Sequence, residues 1–196
     1  MADRTREQMI EGAMLLLGTK GVQGTSLNKV LEVTGAPRGS IYHHFPGGKD
    51  ELITAALELT GSLHDDWVTR YAGTSVEEIV AGFLDFWRQT LVRSDLESGC
   101  PVLAVAVSAP SGALFTKAGE VFAASLRHLI TLLCGVGLTG RVAADLASTL
   151  VASAEGAVVL ARAQRDLAPF ELVASHLMEL AQRVGAEAMA APAPAV

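Results

Sequence analysis

The stretch Thr34-Gly35-Ala36-Pro37-Arg38-Gly39-Ser40-Ile41-Tyr42-His43-His44-Phe45-Pro46 decides how this chain folds. Gly35 can adopt the left-handed conformation of a sharp turn. Pro37 pre-sets φ at the first turn of a new helix. The run Phe45-Pro46-Gly47-Gly48 then breaks that helix after about two turns. Ile41 and Phe45, four apart, share the face that packs inward, while Arg38, Gly39, Ser40, Tyr42 and His43 lie on or near the opposite one.

Upstream, a short helix beginning at Thr25 or Ser26 buries Leu27, Val30 and Leu31. Before it, Ile10, Ala13, Met14 and Leu17 follow the i, i+3, i+4, i+7 spacing of a longer helix. Thr5 and Gln8 suggest a capping box for that helix, and Gly21 suggests its stop. Downstream every convincing period is also helical. Leu52, Ala56, Leu59, Leu63 and Trp67 form one stripe, and Ser75 with Glu78 caps a helix burying Val76, Ile79, Val80, Phe83 and Trp87. Val102 to Val107 fits a buried helix or strand by composition, and its helical neighbours favour helix. Phe115, Ala118, Phe122, Leu126, Leu129 and Leu133 mark a further helix, followed by two more from about Val142 and from Pro169. The fold class is therefore all-α, with about nine helices.

Hydrophobic residues make up 50% of the 196 and charged residues only 18%, which excludes global disorder. Mean hydropathy is +0.36. Yet the longest apolar candidate for a membrane span, Ala143 to Ala161, is interrupted by Asp145 and Glu155. No basic-then-apolar leader opens the chain, so a soluble, cytoplasmic protein is expected. Cys100 and Cys134 lack metal-ligand spacing and read as buried thiols. Net charge is −6, but residues 1–50 hold six Lys and Arg against five Asp and Glu, leaving nine bases and sixteen acids beyond. A mildly basic head on an acidic body is compatible with nucleic acid at the head alone.

Two short helices joined by a glycine turn and preceded by a longer one form the pattern of a helix-turn-helix. A two-turn helix exposed on one side fits a major groove about 12 Å wide. Arg38 suits bidentate contact with guanine, and serine or tyrosine hydroxyls suit phosphates or base edges. Gly39 leaves room for close approach, and Lys49 at a helix start suits a phosphate. Adjacent His43 and His44 point about 100° apart on a helix and make a poor metal pair. His44 reads as structural. No nucleophile elbow, Walker loop, HExxH or paired carboxylates are present, so no enzyme and no cofactor are expected. A helical carrier or enzyme without DNA binding is the alternative.

Thr25-Ser26-Leu27, the Thr34–Pro46 stretch and Lys49-Asp50-Glu51-Leu52 together resemble the N-terminal domain of the tetracycline-repressor (TetR) family over about residues 5–60. Pro37 replaces the usual Ser or Thr N-cap and Gly47-Gly48 adds a residue before Lys49. With Ser98-Gly99-Cys100-Pro101-Val102, both departures resemble the LmrA/YxaF-like branch. The resemblance implies a homodimeric repressor on a palindromic double-stranded operator. In it Ser26, Tyr42, His43 and Lys49 contact phosphate, and Arg38, Gly39 and Ser40, entered through Pro37, face bases. Arg4 and Arg6 reach the adjacent minor groove.

The implied division is a DNA-binding domain at 1–48, a ligand-binding and dimerisation domain at 49–186, and a disordered Ala/Pro-rich tail at 187–196. Trp67, Phe83, Phe86, Trp87, Cys100 and Phe122 are the candidate lining for a small apolar or aromatic effector, with Ser108, Thr116 and His128 as further polar groups. Phe86 and Trp87 are neighbours and cannot face the same way. The small residues Ala154, Gly156, Ala157 and Ala161 permit close helix approach. By resemblance, Ala154, Ala157, Ala161, Phe170, Val173 and Leu177 then form the dimer interface.

Overall fold

A computed structural model describes residues 2–108 and 111–190. Among these, the chain forms α1 (Ala2–Gly24), α2 (Leu27–Thr34), α3 (Arg38–His44), α4 (Lys49–Arg70) and α5 (Val76–Arg93). It continues through α6 (Pro101–Ser108), α7 (Gly112–Gly135), α8 (Gly140–Gln164) and α9 (Ala168–Ala190). No strand occurs among the described residues, and Val102 to Val107 is helical.

Local chemistry accounts for several of the boundaries. Ser26 caps α2 by accepting from the Lys29 N–H at 3.2 Å. Gly35 ends it at φ 68°, its N–H donating to the Leu31 carbonyl. Ser75 and Glu78 form the reciprocal capping box of α5. Two expectations shift. α1 begins at Ala2, so Thr5 and Gln8 lie inside it. Gly21 is a kink (φ 67°) followed by one more turn, and the buried Thr25 hydroxyl donates to its carbonyl at 2.8 Å.

The residues fall into two compact units. Unit 1 comprises residues 1–64 and 97–124, unit 2 residues 65–96 and 125–196. Unit 1 reaches past residue 48, where the motif suggested a boundary, because α1 packs on α6 as well as on α2 and α3. The Gly99 N–H donates to the Gly18 carbonyl at 2.9 Å, and Lys20 pairs with Glu97 beside it. Met9, Ala13, Leu17, Ile41, Phe45, Leu52, Ile53 and Leu57 form its buried centre.

In unit 2, α5, α8 and α9 pack on one another. Arg88 of α5 donates two hydrogen bonds, at 2.6 and 2.9 Å, to the Glu171 carboxylate of α9. Its guanidinium also lies over the Phe170 ring. α8 has the length and hydropathy of a membrane span, but Leu146, Leu150, Ala154, Ala157, Val158 and Ala161 are buried inside the unit.

That packing places most of the residues expected at the dimer interface inside a single chain. Ala154, Ala157, Ala161, Phe170 and Leu177 are each at most 2% exposed within a single chain, and Val173 is half-buried. The five buried side chains bring helices of one chain together, and of the six only Val173 keeps part of its surface. Other expectations also change. α7 buries Leu114, Ala118 and Val121, leaving Phe115 60% exposed, and Leu63 is exposed too. Cys134 is exposed, not buried. α9 continues through Ala190, into the stretch composition assigned to the tail, and the tail's last six residues lie outside the described ones.

Candidate nucleic-acid interface

The inner face of α3 is fixed by Ile41 and Phe45, both fully buried. The Phe45 N–H donates to the Ile41 carbonyl at 2.8 Å and closes the helix. Pro37 precedes α3 in extended conformation (φ −61°, ψ 134°) without a side-chain cap. With those anchors set, Arg38, Gly39, Tyr42 and His43 are exposed and Ser40 is partly so. Tyr42, an aromatic with a polar hydroxyl at its tip, is 66% exposed. His44 is half-buried, its ring edge-on to His43 at 5.3 Å. No cluster suited to a metal ion exists among the described residues.

Several polar side chains are already committed. The Ser40 hydroxyl donates to the Pro37 carbonyl at 2.6 Å, so outwardly it presents only acceptor lone pairs. Ser26 is the reverse: its oxygen accepts from Lys29 N–H, leaving its proton to donate. The Lys49 ammonium donates to the Val22 carbonyl at 2.7 Å, tying the start of α4 to the end of α1. Sequence reasoning missed this tie because it joins positions remote in the chain. The Arg6 guanidinium lies 5.3 Å from the Phe45 ring centroid, which holds it against the end of α3; Arg4 is exposed.

The ligand candidates divide between the units. Cys100 is buried in unit 1, where its sulfur accepts from the Leu103 N–H and caps α6; Phe122 is half-buried in the same unit. Trp67, Phe83, Phe86 and Trp87 belong to unit 2. Trp87 is 4% exposed and points inward while Phe86 is 43% exposed. Their rings stand edge-on at 5.3 Å. The indole N–H of Trp87 is buried without an acceptor among the described residues. Trp67 stacks on Tyr71 at 4.8 Å and meets Phe83 edge-on at 5.9 Å. Trp67, Tyr71 and Phe86 line a cavity of about 220 Å³ with Arg70, Arg93, Gln89 and Thr90. Tyr71, Arg70 and Arg93 had escaped notice, although spacings of three or four from Trp67 and seven from Phe86 place them on shared helix faces.

Residues 9–56 match the model of bacterial regulatory proteins of the tetR family, and residues 76–176 match the C-terminal domain of LmrA/YxaF-like transcriptional regulators. An HTH-type transcriptional regulator of Mycobacterium tuberculosis is 33% identical over 182 residues, covering 89% of this chain and 93% of that protein. The HTH-type regulator YxaF of Bacillus subtilis is 30% identical over 186 residues, covering 92% and 97%. A TetR transcriptional regulator from Chloroflexus aurantiacus superposes with a TM-score of 0.72 at 26% identity, covering 93% of this chain and 96% of the other. The exposed outer face of α3 and these matches agree: the chain belongs to the TetR family of transcription regulators, in its LmrA/YxaF-like branch, and not to an enzyme family.

Proposed function

We propose that the chain is a cytoplasmic repressor that binds a palindromic operator as a homodimer and leaves it when a small apolar or aromatic effector binds. The observation that carries this reading is the two-faced α3, anchored by Ile41 and Phe45 and open at Arg38, Gly39, Tyr42 and His43. Arg38 would read a guanine through two hydrogen bonds. Ser40, whose proton is held by Pro37, would accept from a cytosine or adenine amino group. Ser26 and Tyr42 would donate to phosphates, with His43 beside them, and Lys49 would do so with the protons that Val22 leaves free.

A two-fold operator calls for a two-fold protein with recognition helices about 34 Å apart. The surface for it is the exposed face of α8, where Ala152, Gly156, Val159, Leu160 and Ala163 recur at helical spacing, with Leu172 of α9 73% exposed. Small residues there admit close approach between helices, and the apolar side chains have no cover within the chain. α4 and α7 each contribute residues to both units and would carry the effector's influence, a coupling of about 1–3 kcal/mol.

The test is a gel shift with the DNA upstream of the protein's own gene at stated salt, extended to a genome-wide binding selection. A sequence-specific shift over a palindrome is the expected result. Salt-sensitive binding with no preferred sequence would overturn the proposal.

A further inference from the structure

The groove in unit 2 has a chemistry that narrows the effector. Trp67, Tyr71 and Phe86 supply aromatic surface, and Arg70 and Arg93 supply two exposed guanidinium groups. Asp85 is the groove's acid, and it is already engaged: Gln89 donates to it and Arg88 lies 3.6 Å away. The Thr90 hydroxyl donates its proton to the Phe86 carbonyl at 2.9 Å and is left with acceptor lone pairs only. Neither Arg70 nor Arg93 has an ion-pair or hydrogen-bond partner among the described residues. The groove therefore carries aromatic faces and uncommitted positive charge together. Another concavity, about 480 Å³ between α1 and α4, is lined by Glu7, Glu11 and Glu58 together with Arg6 and has no aromatic ring, so acids outnumber bases there.

The shape of the groove depends on Gly82. The Tyr71 ring lies directly on the α5 backbone there, where a Cβ would collide with it. That seat holds Tyr71 alongside Trp67, their planes 33° apart. Size sets the scale of an occupant. A volume of about 220 Å³ exceeds the roughly 150 Å³ that houses benzene and falls short of the 300–1,000 Å³ typical of drug-sized ligands.

From these observations we infer that the groove binds a planar aromatic anion of about two rings, its rings against Trp67, Tyr71 and Phe86 and its carboxylate or phenolate on Arg70 and Arg93. Guanidinium–carboxylate pairing is charge-assisted and often bidentate, and arginine also stacks on aromatic faces. Identifying this ligand as the effector rests on the proposed repressor function; the binding itself does not.

The experiment is isothermal titration calorimetry of the full chain with 2-naphthoate and with its neutral isostere 2-naphthamide, at about 0.15 M salt so that exposed charges are screened as in a cell. The acid is expected to bind about tenfold or more tightly than the amide. Arg93→Gln should cut that preference several-fold. The Arg70→Gln/Arg93→Gln double variant, checked for folding by circular dichroism, should erase it while retaining amide binding. Equal affinities, no heat from either compound up to millimolar concentration, or a preference that survives the double variant would each overturn the inference. A gel shift run in parallel separates the two readings. A chain that binds naphthoate but no DNA removes the repressor and leaves the groove, whereas one that shifts its operator and ignores naphthoate removes the groove alone.

Discussion

From Ser26 to Lys49 several polar side chains are held by backbone atoms nearby in space. Ser26 is fixed by the Lys29 N–H, Ser40 by the Pro37 carbonyl and Lys49 by the Val22 carbonyl. In unit 2 the chemistry is spread across distant segments. Arg88 meets Glu171 across 83 positions, Arg165 meets Asp95 across 70, and Arg70 and Arg93 are left open. The first arrangement presets what each group can offer before a ligand arrives, which suits a surface that must present one pattern to DNA. The second leaves the charges of the groove to be satisfied by whatever enters it. The two regions therefore should fail differently when disturbed.

The largest effects should come from the two fully buried phenylalanines, one in each unit. Phe45→Ala and Phe170→Ala are each expected to cost about 3–5 kcal/mol of unfolding free energy, read from urea denaturation. At low temperature, where both variants are still folded by circular dichroism, Phe45→Ala should abolish the specific gel shift because α3 and Arg6 lose their shared anchor. Phe170→Ala should retain it. Equal loss in both variants would show that the two units act as one, and the contrast would collapse.

Next in size is α3 itself. Arg38→Ala should weaken operator binding by about 1–3 kcal/mol and relax one base position per half-site without changing unfolding. Binding selections on randomised operators read both effects, and an unaltered specificity profile would remove Arg38 from the bases. A charge placed on the exposed α8 face should act without touching the DNA surface. Leu160→Glu buries an unpaired carboxylate only if a partner covers that position. It should therefore convert a dimer to a monomer by light scattering, with operator affinity falling in step. A dimer that persists unchanged would move the interface elsewhere.

The same contrast explains what could be read from the sequence. Gly35, Pro37, the Ser75–Glu78 box and the Ile41–Phe45 spacing act within one or two turns, so the elements and the outward face of α3 follow from neighbours in the chain. The Gly21 kink did not follow, because a glycine with positive φ can stop a helix or bend it. Nor did the phase of α8. Ala154, Ala157 and Ala161 and the exposed set Ala152, Gly156, Val159 and Leu160 are both small or apolar, and periodicity cannot tell burial inside one chain from burial between two. The arginines of the groove were hidden for a related reason. Alone, each is an ordinary solvated charge; helical spacing sets Arg70 near Trp67 and Arg93 near Phe86, but only folding brings the two pairs into one groove.

The smallest effect concerns the pair that joins α5 to α9. The hydrogen bonds from Arg88 hold the Glu171 carboxyl below the usual carboxylate range, and the same contact raises the Arg88 guanidinium. Because the folded value of Glu171 is depressed, the pair's contribution is present above the ordinary glutamate range. It fades as pH falls through the lowered value, where the carboxylate takes up a proton. Both side chains are more than a third exposed, so water screens the pair, and Glu171→Gln should cost less than about 1 kcal/mol at neutral pH. Thermal melts at descending pH should bring the variant and the natural chain together in the acid range, since protonation removes what the substitution has already removed. A gap that stays constant through that range would mean that Glu171 acts by packing on its neighbours and not by its charge.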